Sequence, residues 1–422
     1  MPWKGILKFF VIGFLGLMLS IALVLVRETV SERSQRREQV YSDMALTTAG
    51  SQVVAGPFLV LPYEVTTSKQ ESSTHSEIIL PRDLVMSGRL QTEKRYRSLY
   101  EILLYGTQVK LEGSFEFAEP RNISVPQGST LRWLEPYLVV MVQDNRGLTR
   151  IPVVSWAGKN FEVKPGNGGL SFGIDGGFHS DLPTEIVKGG TFAFAVDLSL
   201  QGMQTFSWVP VGEKTRVKLE ADWPHPSFQG RALPREHEIT KSGFEAVWES
   251  TQFSSNIAQL IQGSGAGTGL QNQGVGVRLV QPVDVYLQAE RSVKYGFLFI
   301  AVTFGAFLLF ENLKRLSIHP VQYGLVGLAL VLFYVLLLAL SEHIAFVWAY
   351  VVAGLASMGL LGFYVRYVVQ SWKNTVMFTG VLGILYAVVY GILMSEDYAL
   401  LYGACLLFVL LATAMVATRR VK

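Results

Sequence analysis

The chain has 422 residues, of which 50% are apolar and only 16% charged, and its formal net charge is +3. With so small a balance, and no dense Lys/Arg run beyond short membrane-flanking ones, no nucleic-acid partner is expected. The single cysteine, Cys405, lies in an apolar run and excludes an intramolecular disulfide, a CxxC pair or a thiolate metal cluster. Nearly all the charge falls between Arg27 and Lys294, with the long apolar runs outside those limits.

About 20 predominantly apolar residues are needed to cross the hydrocarbon core. Six stretches meet or approach that: Ile6–Val26, Tyr295–Phe310, Val321–Leu340, Ile344–Val365, Thr375–Met394 and Tyr398–Ala417. The second is short, and extending it back past Lys294, whose ammonium can snorkel, restores its length. The first begins with Lys4 and Lys8 but ends Val24-Leu25-Val26-Arg27 without a small-x-small site, which fits an uncleaved anchor better than a signal peptide. Trp3, Tyr295, Tyr323, Trp348, Tyr367, Trp372 and Tyr398 stand near span ends, as interfacial aromatic belts require. Gly354, Ser357, Gly380, Gly383 and Gly403 would let helices approach closely.

The short links between the later spans alternate in charge. Glu311-Asn312-Leu313-Lys314-Arg315, the link carrying Arg366 and Lys373, and the end Arg419-Arg420-Val421-Lys422 are basic, whereas Ser341-Glu342-His343 and Ser395-Glu396-Asp397 are acidic and lack Lys and Arg. Basic links face the cytoplasm, so both termini are expected inside and residues 27–292 outside, in the periplasm of a bacterial inner membrane. Arg27, Arg33, Arg36 and Arg37 run against this rule, with Glu28, Glu32 and Glu38 interleaved. Glu311 is expected to be solvated and paired with Lys314 or Arg315. No charge falls near the middle of a span, which argues against an ion-coupled transporter.

Residues Arg27 to about Ala49 read as a charged helical stalk with Glu32 and Arg36 at i,i+4 spacing. From Ser51 the period becomes two. Val109, Leu111, Gly113, Phe115 and Phe117 alternate with polar residues, as do Phe192, Phe194, Val196, Leu198 and Leu200, and then Val283, Val285 and Leu287. Turn signals such as Asp144-Asn145-Arg146-Gly147 and Pro165-Gly166-Asn167-Gly168-Gly169 separate the runs, predicting an antiparallel β-sandwich-like domain. Phe253–Ile261 is expected as one short helix, and Gly263–Gly276 as a glycine-rich loop.

No catalytic motif is present. Gly263-Ser264-Gly265-Ala266-Gly267 follows Gln262, so it is not G-x-S-x-G, and it also fails G-x-G-x-x-G and the P-loop. No two of the six histidines lie within four residues of each other, so neither a local zinc site nor a cofactor is expected. Two places remain as candidate sites. In Trp223-Pro224-His225-Pro226-Ser227-Phe228 two prolines stiffen the backbone around a histidine. This reads as a rigid inter-strand connection with Trp223 and Phe228 buried or, less simply, as a ridge presenting His225 to a partner. At the outer ends of the spans Glu342, His343, Glu396 and Asp397 are either ordinary loop polarity or a small acidic cluster with one histidine. Such a cluster could hold a cation, a lipid headgroup or the domain above.

Several segments resemble the CreD inner-membrane proteins of bacteria. They are Gly56-Pro57-Phe58-Leu59-Val60-Leu61-Pro62-Tyr63, Asp222–Phe228 with Gly230, Gly243-Phe244-Glu245-Ala246-Val247-Trp248 and Pro282-Val283-Asp284-Val285-Tyr286. Lys294-Tyr295, the run from His319-Pro320-Val321-Gln322-Tyr323 through Leu340-Ser341-Glu342-His343, Glu396–Leu401 and Thr418-Arg419-Arg420 extend the resemblance over almost the whole chain. Relatives often carry a longer cytoplasmic tail, so no function of that tail is implied. The resemblance implies inner-membrane location and a role in cell envelope integrity, with no agreed biochemical activity and no catalytic residues. The expected organisation is a membrane protein of α+β class: an N-terminal transmembrane anchor (1–26), a helical stalk (27–50), an extracytoplasmic β-domain (51–292), a five-helix transmembrane bundle (293–418) and a tail (419–422). The expected function is non-enzymatic, with the β-domain binding or sensing an envelope component or a membrane protein partner beside the lipid bilayer. The alternative is a membrane enzyme or lipid-handling protein built on Glu342, His343, Glu396 and Asp397.

Overall fold

A computed structural model describes residues 2–67, 71–119, 128–170, 172–263, 269–281, 284–314, 318–395 and 398–418. Contacts divide the chain into two units, Met1–Glu38 with Val283–Lys422, and Gln39–Pro282.

The first unit is helical. Helix α1 runs unbroken from Pro2 to Thr47, past the limit of this unit. The short helices α2 (Gln252–Ser255) and α3 (Ile257–Gly263) belong to the other unit. Then come α4 (Val285–Lys294), α5 (Gly296–Lys314), α6 (Pro320–Ser341), α7 (Phe346–Val369), α8 (Trp372–Met394) and α9 (Ala399–Thr418). Among the described residues Phe10–Thr47, Val285–Leu308, Pro320–Ser341, Phe346–Val369 and Trp372–Met394 are long and apolar enough to cross a membrane, and Leu401–Ala412 is a shorter apolar stretch. Phe10, Phe14, Leu17, Phe297, Leu332, Phe363, Ile384 and Phe408 are exposed on these helices, as lipid-facing side chains are.

Inside the bundle Phe299, Phe333, Tyr334, Tyr350 and Tyr386 form one aromatic cluster. Its polar ends are paired, as burial demands: the Tyr350 hydroxyl donates to the Tyr386 carbonyl at 2.9 Å, and the Tyr386 hydroxyl to Ser357 Oγ at 3.1 Å. Ser357 thus acts as an acceptor as well as a small residue. The glycines that bring helices together are others than those expected: a Cβ on Gly296 would stand 2.8 Å from Leu23, and one on Gly327 would overlap Leu19, whereas Gly380 has open space around it. Trp348, Tyr367, Trp372 and Tyr398 are exposed, as belt residues should be, but Tyr323 is wholly buried. The Trp3 side chain lies outside the described residues.

The second unit carries two sheets. Its strands are β1 (Gln52–Thr66), β2 (Ser72–Ile79), β3 (Asp83–Arg97), β4 (Tyr100–Ala118), β5 (Thr130–Trp133), β6 (Tyr137–Val142), β7 (Val153–Trp156), β8 (Lys159–Phe161) and β9 (Lys164–Pro165). They continue as β10 (Gly177–Asp181), β11 (Gly189–Met203), β12 (Thr205–Val209), β13 (Lys214–Ala221), β14 (Pro226–Gly230), β15 (Glu236–Thr240), β16 (Gly243–Thr251) and β17 (Val275–Leu279). The nine-stranded sheet has the order β14-β17-β12-β1-β6-β10-β9, with β2 and β5 also on β1, and the eight-stranded sheet has the order β15-β16-β13-β3-β4-β11-β7-β8. Their inward faces share one core: Trp208 meets Trp248 with ring centroids 4.7 Å apart, and Tyr105 meets Phe206 at 6.0 Å. The alternation read over 109–117 and 192–200 is the pairing of β4 with β11.

Three expectations are corrected. The sheets are mixed, because β1 pairs with β12 and β3 with β13 in parallel. Strands so far apart in the chain have connections long enough to return in the same direction. Val285 and Leu287 belong to helix α4 and not to a strand: Asp284 caps it, accepting from the Tyr286 and Leu287 amides at 3.0 and 3.2 Å. The expected single helix at 253–261 is broken into α2 and α3 by Asn256 in the left-handed region, φ 55°. The expected loop is also shorter, since Val275–Leu279 is a strand, while its residues 264–268 lie outside the described ones.

Candidate functional site

Four places carry the polar chemistry. The first is the outer end of the helical unit. Glu342, the C-cap of α6, has a side chain only 10% exposed, with Arg33 at 3.8 Å and the Tyr286 hydroxyl donating to it at 3.2 Å. One turn along α1, Arg37 makes a two-pronged pair with Asp284 at 2.8 and 2.9 Å and lies over the Tyr286 ring. Arg27 and Lys294 share Glu290 at 3.3 and 3.6 Å, and Arg36 donates to Glu32 at 3.3 Å. The arginines that run against the loop charges are therefore ion-paired. His343 is exposed beside this network, and Glu396 and Asp397 lie outside the described residues. The described half of the expected acidic cluster is thus an arginine-bound lock, and Arg33, Arg37, Asp284 and Tyr286 are the members that sequence reasoning missed. Among the described residues no group of three or more His, Cys, Asp or Glu side chains is placed to hold a metal.

Burial alone would raise the Asp284 carboxyl. The Arg37 hydrogen bond and charge, with the Leu287 and Tyr286 amides, outweigh it and hold that carboxyl below its usual range. A depressed folded pKa stabilises above the unfolded value of about 3.9, and that contribution is lost as pH falls through the folded value. Asp284→Ala is expected to cost roughly 1–2 kcal/mol through the lost cap and ion pair. Asp284→Asn should retain most of the cap. Thermal unfolding of both at pH 7 and at pH 3 checks this, with the gap between Asp284→Ala and wild type narrowing in acid.

The second place is the inner end. Glu311 does not pair with Lys314 or Arg315 as expected. It binds Lys8, which also donates to the Ile318 carbonyl at 2.6 Å, and it accepts from the buried Tyr323 hydroxyl at 3.0 Å. Its side chain is 15% exposed, because α5 continues through it and turns it toward α1.

The third place is the segment with two prolines. Trp223 is buried and donates to the Val280 carbonyl at 2.9 Å, the Val280 amide donates to the His225 carbonyl at 3.0 Å, and Lys94 lies over the Trp223 ring at 5.6 Å. Phe228 is half-buried against Phe244 and Trp248. The segment is a latch on the chain leaving β17. The His225 ring is exposed at its edge, packed only against Trp223.

The fourth place had no signal beyond alternation. On the outer face of the eight-stranded sheet a groove of about 570 Å³ is lined by Arg89, Lys110, Arg150, Ile151, Asp197 and Lys218, among others. Lys110 pairs with Glu112, and Lys218 with Glu220 and Glu245. Arg89 and Arg150 make no ion pair among the described residues, and Ile151 is 84% exposed between strands.

A family model described as "Inner membrane protein CreD" matches residues 4–422. The chain belongs to the CreD family. The CreD inner membrane protein of Escherichia coli K12 is 34% identical over 413 residues, covering 96% of this chain and 90% of that one. This CreD-family chain also aligns with two solved structures of the M1 zinc metallopeptidase from Deinococcus radiodurans, one a point mutant. Both alignments have 6% identity, with TM-scores of 0.20 and 0.17 over 40% of this chain and 38% of theirs, too weak to bear on fold or function. Family membership makes the chain an inner membrane protein. The relative's printed name is that of a membrane protein and not of an enzyme.

Proposed function

We propose that this protein contributes to cell envelope integrity without catalysis, holding its β-rich unit in the periplasm, where the groove on the eight-stranded sheet binds an anionic envelope component. The observation that carries the reading is the pair of uncompensated guanidinium groups, Arg89 and Arg150, beside the exposed Ile151. Guanidinium groups bind carboxylate and phosphate in bidentate fashion, and an apolar side chain next to them adds contact area. The periplasmic placement is supported by the alternating loop charges and by the pairing of Arg27, Arg33 and Arg37 with Glu290, Glu342 and Asp284, which removes their local objection. Both termini are then cytoplasmic.

The test has two arms. In a Cys405→Ser background, Ser242→Cys should react with a membrane-impermeant thiol reagent in cells with a permeable outer layer, and Lys373→Cys should not. The reverse pattern would refute the placement. In a deletion strain, Arg89→Glu with Arg150→Glu should fail to restore growth under detergent or β-lactam stress at normal protein abundance. Full restoration would refute the groove.

A further inference from the structure

We infer that the tip of the β3–β4 hairpin is a second membrane contact, binding the anionic headgroups of the lipid surface. The register of this hairpin runs to Arg97↔Tyr100, closed by the two residues Ser98 and Leu99. Its neighbours stop earlier: β13 ends opposite Leu90, and β11 ends opposite Leu104. The tip therefore projects as a lone two-stranded ribbon, which needs something to pack against.

One face of that ribbon is covered. Ile102 and Leu104 pack with Met203 and with Tyr41 of α1, joined by Val40, Met44 and Ala45. The other side carries an exposed, mixed set of residues. Tyr96 is 69% exposed and Leu99 47%. Lys94 pairs with Glu101 and Arg95 with Glu93, but Arg97 makes no ion pair among the described residues. A tyrosine, a leucine and an unpaired arginine at the end of a hairpin are the composition of an interfacial anchor: the ring and leucine suit the boundary layer, and the guanidinium suits phosphate.

The direction of the ribbon supports this occupant. Met203, which pairs with Leu104, donates its amide to the Gly50 carbonyl at 3.1 Å, and Glu101 accepts from the Tyr41 hydroxyl at 3.0 Å. From Leu104 to Glu101 the hairpin thus moves from Gly50 back to Tyr41, toward the N-terminal end of α1. Tyr41 lies about 22 Å of helix rise beyond Val26, the last residue of the apolar run. The tip returns about 10 Å of that rise. A headgroup layer of about 5–8 Å and the length of the Arg97 side chain cover the rest. Gln281, the last described residue before α4, also donates to the Glu101 carbonyl at 3.5 Å, so both chain crossings converge at the root of the tip.

The test uses the full chain, Cys405→Ser with Ser98→Cys carrying an environment-sensitive fluorophore, in nanodiscs of phosphatidylglycerol and phosphatidylethanolamine. Headgroup-spin-labelled lipid should quench the fluorophore at 98, and it should leave one at Ser242→Cys bright. Adding Arg97→Glu should cut the quenching about fivefold, the worth of one basic side chain at an anionic surface. Phosphatidylcholine nanodiscs should act in the same direction. Quenching at 98 by aqueous iodide and not by lipid would mean a solvent-facing tip and overturn the inference. Protection from both quenchers would mean that a protein covers the tip, and would overturn it equally. If Ser98→Cys does not fold, Leu99→Cys reads the same distances.

Discussion

Glu311→Ala is expected to destabilise the detergent-solubilised chain by about 3 kcal/mol, seen as a fall of several degrees in its apparent melting temperature. The carboxylate serves three groups at once: it takes the Lys8 ammonium and the Tyr323 hydroxyl, and it stands beside the Ile318 carbonyl that Lys8 also reaches. Removing it strands an ammonium at the inner end of a membrane helix and a wholly buried phenol. Lys8 is 24% exposed and can turn partly to water, which places the cost at the lower end of that for a broken buried pair.

The companion variant separates charge loss from general damage. Lys8→Met, Glu311→Leu and Tyr323→Phe together remove every polar member while keeping the volume. That triple change should recover most of the stability lost in Glu311→Ala, because replacing a whole buried network by apolar groups is close to neutral. Equal losses in both variants would mean that the site matters only for packing. With the Arg33–Glu342 and Arg37–Asp284 pairs at the other end, the inner network ties α1 to the bundle at two levels. Leu19 and Leu23 fill the space between, against Gly327 and Gly296.

The apolar runs could be read because a lipid-spanning helix must be long and uniformly apolar, and nothing else in a chain looks like that. The partner of Glu311 could not be read: Lys8 lies 303 positions away, while Lys314 and Arg315 are adjacent in the chain. The glycines of close approach were misassigned for a related reason. Gly380 and Gly327 have the same local surroundings in sequence, and only the position of α1 distinguishes them. In the β-unit, alternation over β4 and β11 was legible because each strand has one buried face, but alternation cannot state direction, so the parallel β1/β12 and β3/β13 pairs were missed. Val283, Val285 and Leu287 were too few to distinguish a period of two from the start of a helix, and Asp284 as a cap was the signal to weigh. The groove at Arg89 and Arg150 joins residues of separate strands and leaves no local motif at all.

Gly113→Val should be the most damaging single change in the β-unit, costing roughly 3 kcal/mol or more by overpacking. Gly113 pairs with Leu84 where β3 begins. A Cβ there would overlap the Asp83 carbonyl, which is backbone and cannot rotate away, and it would stand 3.0 Å from the tip of the Phe194 ring. The sheet answers the insertion only by parting β3 from β4 or by moving Phe194, which packs on Phe115 in the shared core. Gly113→Ala already meets the carbonyl, so it should lose most of the same stability. Gly106, on the same strand with open space around it, should accept alanine with a far smaller loss. Urea unfolding of the three variants, followed by tryptophan emission, orders them. Because β3 and β4 carry Arg89 and Lys110 on their outer face, Gly113→Val should also disturb the groove while touching none of its lining side chains. A Gly113→Val protein as stable as wild type would show that β3 and β4 do not approach as closely as described, and the placement of Arg89 in the groove would fall with it.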